Sequence, residues 1–193
     1  MEKYDMIVAA EQQFAREVTL GVIVGTPLTL WHSIIPGMFI FDFLRRGSAI
    51  KQYTRRFMFP RKLALDAARA EIHGQDKTAA RADLKDNISK GLHALDLYTP
   101  ELHQAQTAVI DVLSGHYSKL LEAEGDTYLL LIKNAYQNRE GFQTFLDQIS
   151  AAEKEVEREI INKFTENQKL EEKLSAEQNQ VEMRRQKIMD DMF

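Results

Sequence analysis

The sequence predicts an all-α protein: a helical bundle with an N-terminal hydrophobic segment, membrane-inserting or re-entrant, and a long C-terminal helix of coiled-coil character. Three observations predict it. Apolar residues recur every three or four positions along most of the 193-residue chain, the spacing that lines one face of a helix. No stretch alternates apolar and polar residues as a half-buried strand would, and no Asn-Gly hairpin turn occurs. From Phe142 to Phe193 there is neither Gly nor Pro, so nothing in that stretch breaks a helix by backbone chemistry. A chain of this length holds one ordinary domain with an appendage. It divides into an N-terminal amphipathic helix (1–17), a hydrophobic membrane-contact segment (18–44), a basic juxtamembrane collar (45–62), a helical bundle (63–141) and the long C-terminal helix (142–193).

The first helix is expected from about Lys3 to Val18, with Tyr4, Ile7, Val8, Glu11, Phe14 and Val18 forming a partly apolar stripe. It runs into the most unusual feature of the chain: Val18 to Phe41 contains no Asp, Glu, Lys or Arg. Leu20, Val22, Ile23, Val24, Leu28, Leu30, Trp31, Ile34, Ile35, Phe39, Ile40 and Phe41 are its candidate membrane-contact residues. About 20 apolar residues can cross a bilayer, so the length permits a span. Gly21, Gly25, Pro27, Pro36 and Gly37, the polar Thr19, Thr26, Thr29, His32 and Ser33, and Trp31 near the middle speak against a straight one. A bent segment that dips into one leaflet and returns fits better, with Pro36-Gly37 as its turn. A pair of short buried helices in a soluble domain would use the same residues as core.

Immediately after this run come seven basic residues with no acidic one among them: Arg45, Arg46, Lys51, Arg55, Arg56, Arg61 and Lys62. Residues 1–44 carry a formal charge of -3, residues 45–62 +7 and residues 63–193 -8, for a total of -4. A cationic collar beside an apolar run is what an anionic lipid surface attracts. An acidic body with one short basic stretch does not resemble a nucleic-acid reader, which spreads basic residues over a binding face. The plainer role for the collar is pairing with the acidic body.

Pro60 can open a helix that closes at Gly74, and Asp76 can cap the next, which carries Leu84, Ile88, Leu92, Leu95 and Tyr98 at helical spacing and tolerates Gly91. Thr99-Pro100-Glu101 is the clearest start signal: a capping hydroxyl, a proline of preset φ and an acid at the positive helix end. That helix buries Leu102, Ala105, Val109, Val112, Leu113, Tyr117, Leu120 and Leu121 and stops at Gly125-Asp126; a short helix from Thr127 to Gln137 follows. In the C-terminal stretch one heptad column holds Phe142, Ile149, Val156 and Leu170, the other Leu146, Ile160, Leu174, Val181 and Ile188. The columns are interrupted by Lys163, Glu177, Arg184, Glu153 and Asn167, so the seam is a weak one. One helix here would extend ~78 Å and need a partner along Leu146, Ile149, Val156, Ile160, Leu170, Leu174, Val181 and Ile188.

Catalytic signals are poor. The absence of Cys removes thiolate chemistry and disulfides and fits a reducing compartment. Met1 to Glu17 is mixed in charge and reads as a helix rather than a signal peptide. No Glu-x-x-His pair, His-Glu-x-x-His motif, phosphate-binding loop or nucleophile elbow occurs. His32, His73, His93, His103 and His116 read as surface or helix-end residues, with His93, Asp96, His103 and His116 the one set that could meet across helices. No cofactor, metal or small-molecule substrate is expected. The expectation is a non-catalytic, membrane-associated scaffold or partner-recruiting protein. It would bind anionic lipid through residues 18–62, keep its helical body on the cytoplasmic side, and bind a partner or itself through residues 142–193. The alternative is a soluble homo-oligomer whose residues 18–44 form a core or subunit interface.

Overall fold

The computed structural model describes residues 2–25, 46–164 and 168–193. Every regular element among them is an α-helix: α1 (Lys3–Gly25), α2 (Arg46–Ile72), α3 (Lys77–Ala94), α4 (Pro100–Glu122), α5 (Tyr128–Tyr136), α6 (Arg139–Lys163) and α7 (Gln168–Met192). The stop and start signals act as their chemistry dictates. Gly74 takes φ +78°, and the Gly74 and Gln75 amides close onto the Glu71 and Ala70 carbonyls to end α2. Thr99 lies in the extended region with its hydroxyl accepting from the Leu102 amide at 3.0 Å, and Pro100 opens α4. Thr127 and Asn138 cap α5 and α6 in the same way.

α4 packs between α2 and α6, α1 lies on α2, and α7 closes the ring by packing on both α1 and α6. α3 covers α2 and α4 from outside, while α5 bridges α4, α6 and α1. The core is built from Ile7, Leu65, Leu102, Ile110, Tyr117, Leu120, Leu131, Ile132 and Ile149, all fully buried. Burying each such aliphatic side chain favours folding by roughly 1.5–3 kcal/mol.

Three expectations are corrected. First, α1 continues past Val18 to Gly25, because Val18 and Thr19 are fully buried. Val18 packs with Val181 of α7, and the Thr19 hydroxyl donates to the Ala15 carbonyl while meeting Thr54 of α2 at 3.3 Å. The charge-free run therefore begins as a helix docked on protein. Second, α2 starts at Arg46 and carries Pro60 inside it. An internal proline costs ~3 kcal/mol or more; the packing of Thr54 and Phe57 on Thr19 and Phe14 offsets that loss.

Third, residues 142–193 do not form one helix. α6 ends at Lys163, capped by Phe164, and α7 runs back along it: Arg139 pairs with Asp190 at 2.7 Å, Ser150 bonds Glu182 at 2.8 Å and Arg185 grips Glu153 at 2.7 and 2.8 Å. Most of the predicted coiled-coil positions pack within the chain. Leu146, Ile149, Val156 and Val181 are buried in the monomer, and Ile160, Leu174 and Ile188 are partly buried. The side chain of Leu170 lies outside the described residues. Packing against the body hides more apolar surface per residue than an extended arm with polar core positions would, so the hairpin wins.

Candidate functional site

Two places stand out, an end of the bundle and its centre. α1 and α2 are antiparallel, as shown by the pairs Tyr4 with Asp66, Glu11 with Arg61 and Thr19 with Thr54. Gly25 and Arg46 consequently lie at the same end of the bundle, and both ends of the intervening stretch attach there. Of the predicted membrane-contact residues, Leu20 is 39 % exposed on α1. Val22, Ile23 and Val24 belong to α1, and Leu28, Leu30, Trp31, Ile34, Ile35, Phe39, Ile40 and Phe41 lie outside the described residues. Among the described residues no helix is long and apolar enough to cross a membrane.

The collar divides. Arg45 lies outside the described residues and Arg46 opens α2; Lys51, Arg55 and Arg56 are exposed on the turns that follow. Lys62 is exposed too, but it donates to Asp66 at 2.7 Å and to the Tyr4 hydroxyl at 3.2 Å. Arg61 leaves the collar altogether: it is 5 % exposed and points into the bundle, so its expected role at a lipid surface gives way to an internal one.

At the centre of the helix ring Arg61 links three helices, and a fourth joins through Glu153. Its Nε lies 3.0 Å from Glu11 of α1, its Nη2 3.6 Å from Glu153 of α6, and its guanidinium stacks 3.9 Å above the Phe57 ring. Arg185 of α7 completes the set with its two-pronged bond to Glu153. Two positive and two negative side chains thus cancel in a space from which water is largely excluded. Burial alone would lower the Arg61 pKa, but Glu11 and Glu153 outweigh it and hold the group charged; for Glu153 burial pushes up and Arg185 and Arg61 pull further down. The Tyr128 hydroxyl donates to Glu11 at 3.4 Å, and burial together with Glu11 raises the pKa of both Tyr117 and Tyr128 well above the ordinary range.

His116 is buried as well, against the expectation of a surface residue. Its ring stacks on Phe145 at 4.1 Å and 6°, and Nδ1 shares a 2.6 Å hydrogen bond with the Tyr136 hydroxyl. Burial, with Arg185, Lys119 and Arg61 adding to it, lowers the pKa to about 3, and the ring is neutral at pH 7. The other histidines do not join it. His93 bonds Ser89 and stacks on Tyr98 at 4.1 Å, and His103 Nε2 lies 3.1 Å from the Lys85 carbonyl. His73 is exposed after α2, and His32 lies outside the described residues. Among the described residues no group of His, Cys, Asp and Glu is arranged to hold a metal ion.

The sequence did contain a trace of this centre. Glu11 sits inside the apolar stripe of α1 and Glu153 in a heptad column, both anomalies on buried faces. What it could not give was Arg61 as their common partner, a residue that reads as one more charge in the collar.

A second acidic group lies where α6 meets α7. Glu157 is half-buried beside Glu177 and Glu153, and burial followed by those like charges raises its pKa to about 7. Ionising it is harder in the folded state than in the unfolded chain, so the stability present below the usual carboxylate range is lost as pH rises through about 7. Glu157→Gln is expected to raise the melting temperature at pH 8 and leave it nearly unchanged at pH 5, which thermal unfolding at the two pH values checks.

No protein-family model, curated protein or solved structure matches this chain. Its class rests on the fold and these sites: an all-α bundle closed around a buried ionic network.

Proposed function

We propose that this chain is a non-catalytic, membrane-associated helical scaffold that meets the bilayer at the end of the bundle where α1 stops and α2 begins. The observation that carries this reading is the shared position of Gly25 and Arg46, with a nearly charge-free stretch of sequence between them and exposed Lys51, Arg55 and Arg56 beside it. Apolar insertion supplies the anchor. Each basic residue near an anionic surface adds about 1 kcal/mol.

Insertion from one side is the form compatible with α1. A single span would carry residues 1–17 to the far side, pull α1 off α2 and α7, and break Glu11 from Arg61 and Glu17 from Arg184. Both termini and the body then share one side, and the cytoplasmic side is the one to which the basic collar assigns them. Recruitment of a second helix along the C-terminal heptads is not part of the proposal, since Leu146, Ile149, Val156, Ile160, Val181 and Ile188 pack within the chain.

Trp31 is the single tryptophan of the chain and lies in the proposed insertion, so its fluorescence reports on that segment without labelling. Vesicles containing anionic lipid are expected to shift its emission to the blue, with neutral vesicles weaker and high salt reducing the effect. Neutralising Lys51, Arg55 and Arg56 to Gln together is expected to weaken binding to anionic vesicles about a hundredfold. An emission spectrum indifferent to both vesicle types would overturn the proposal in favour of the soluble oligomer.

A further inference from the structure

Between α1, α4, α5, α6 and α7 the bundle leaves a cleft of about 360 Å³, a volume in the range of small-molecule sites. Phe14, Leu129, Ile132, Phe145 and Ile188 supply apolar walls, and Leu129 is 43 % exposed. The charged side chains around it are mostly committed. Glu11 is held by Arg61, Glu17 by Arg184 Nη1 at 3.2 Å, and Arg185 by Glu153. Lys187 and Asp191, four residues apart on α7, also line it and carry opposite formal charges.

One polar group is left over. Arg184 lines the cleft, and its Nε is buried with no hydrogen-bond acceptor among the described residues. A guanidinium can only donate, so a ligand that satisfies this atom must bring an acceptor. A buried unmet donor on a charged group is a costly feature, and an anionic oxygen answers it best. With Glu17 already opposite Arg184 and the formal charges of Lys187 and Asp191 cancelling in sum, a single negative charge matches the site better than a doubly charged phosphate monoester.

We propose that this cleft binds a small molecule with an apolar body and a single carboxylate, the carboxylate on Arg184 and the body against Phe14, Phe145 and Ile132. The site is separate from the proposed membrane contact and does not depend on it.

Isothermal titration with decanoate, decanol and decyltrimethylammonium tests it, each below its micelle concentration and without vesicles. One-to-one binding of decanoate is expected, about tenfold tighter than decanol, with the cation excluded. Arg184→Gln should abolish the tenfold preference while decanol still binds. Ala10→Leu, which fills space in the cleft wall, should weaken decanoate and decanol alike. Equal affinity for the three probes, no saturable binding, or a preference that survives Arg184→Gln would overturn the proposal. Binding that Ala10→Leu leaves intact would also overturn it, because the probes would then be seated elsewhere on the chain.

Discussion

Replacing Arg61 with Met is expected to destabilise the bundle by about 3–5 kcal/mol, a large share of the total for a domain of this size. The loss comes from the carboxylate left behind. Glu11 is 8 % exposed and has Arg61 as its ion-pair partner at 3.0 Å, with the Tyr128 hydroxyl at a long 3.4 Å. Without Arg61 it must stay charged in a dry interior or take up a proton, and either costs free energy. Glu153 suffers less, because Arg185 keeps both of its bonds to it. Adding Glu11→Gln to Arg61→Met is therefore expected to restore much of the loss, since it removes the orphaned charge. Urea unfolding of the wild type, both single variants and the double variant measures the coupling. A double variant no more stable than Arg61→Met alone would mean that packing of the guanidinium over Phe57, not charge pairing, holds the centre together.

Acid should unfold the protein through His116 before it protonates the paired carboxylates. The folded state keeps this ring neutral, with a pKa lowered to about 3 from the usual 6.5, whereas the unfolded chain takes up a proton below about 6.5. A lowered histidine pKa gives stability that is complete above 6.5 and lost as pH falls from there toward 3. By linkage the full loss is on the order of 5 kcal/mol. Glu153 and Glu182, both lowered, add to the loss at more acid pH, while Glu157 acts in the opposite direction between the usual carboxylate range and about 7. Comparison with His116→Phe isolates the one group: its aromatic ring keeps the stack on Phe145 but cannot titrate. The stability difference between the two proteins should shift steadily toward the variant as pH drops from 6.5 to 5. Parallel curves over that interval would show that His116 does not titrate on unfolding.

Local chemistry made much of the fold legible. Thr99-Pro100, Gly74 and Thr127 mark real helix ends because their effects operate within a few residues, and the stripe from Leu102 to Leu120 faces the core as its spacing requires. What failed depended on contacts far apart in the chain. Pro60 looks like a start, yet α2 runs through it because α1 supports the turns before it. The reversal after Phe164 has no glycine or proline to announce it, and a heptad pattern reads the same whether its partner is another chain or the body of its own. The ionic centre was hidden for the same reason. Glu11, Arg61, Glu153 and Arg185 come from four helices, and only their folding together shows that two anomalous acids and two ordinary-looking arginines belong to one network.

The proposed one-sided contact makes a demand on geometry that single-cysteine labelling can meet, since the chain has no native cysteine to interfere. Glu2→Cys before α1 and Glu140→Cys at the start of α6 both replace exposed residues. On protein bound to sealed vesicles from outside, a membrane-impermeant maleimide should modify both positions fully, with the Trp31 emission still blue-shifted. Protection of Cys at position 2 while position 140 reacts would place α1 across the bilayer, contradicting a bundle that keeps α1 and meets the membrane from one side.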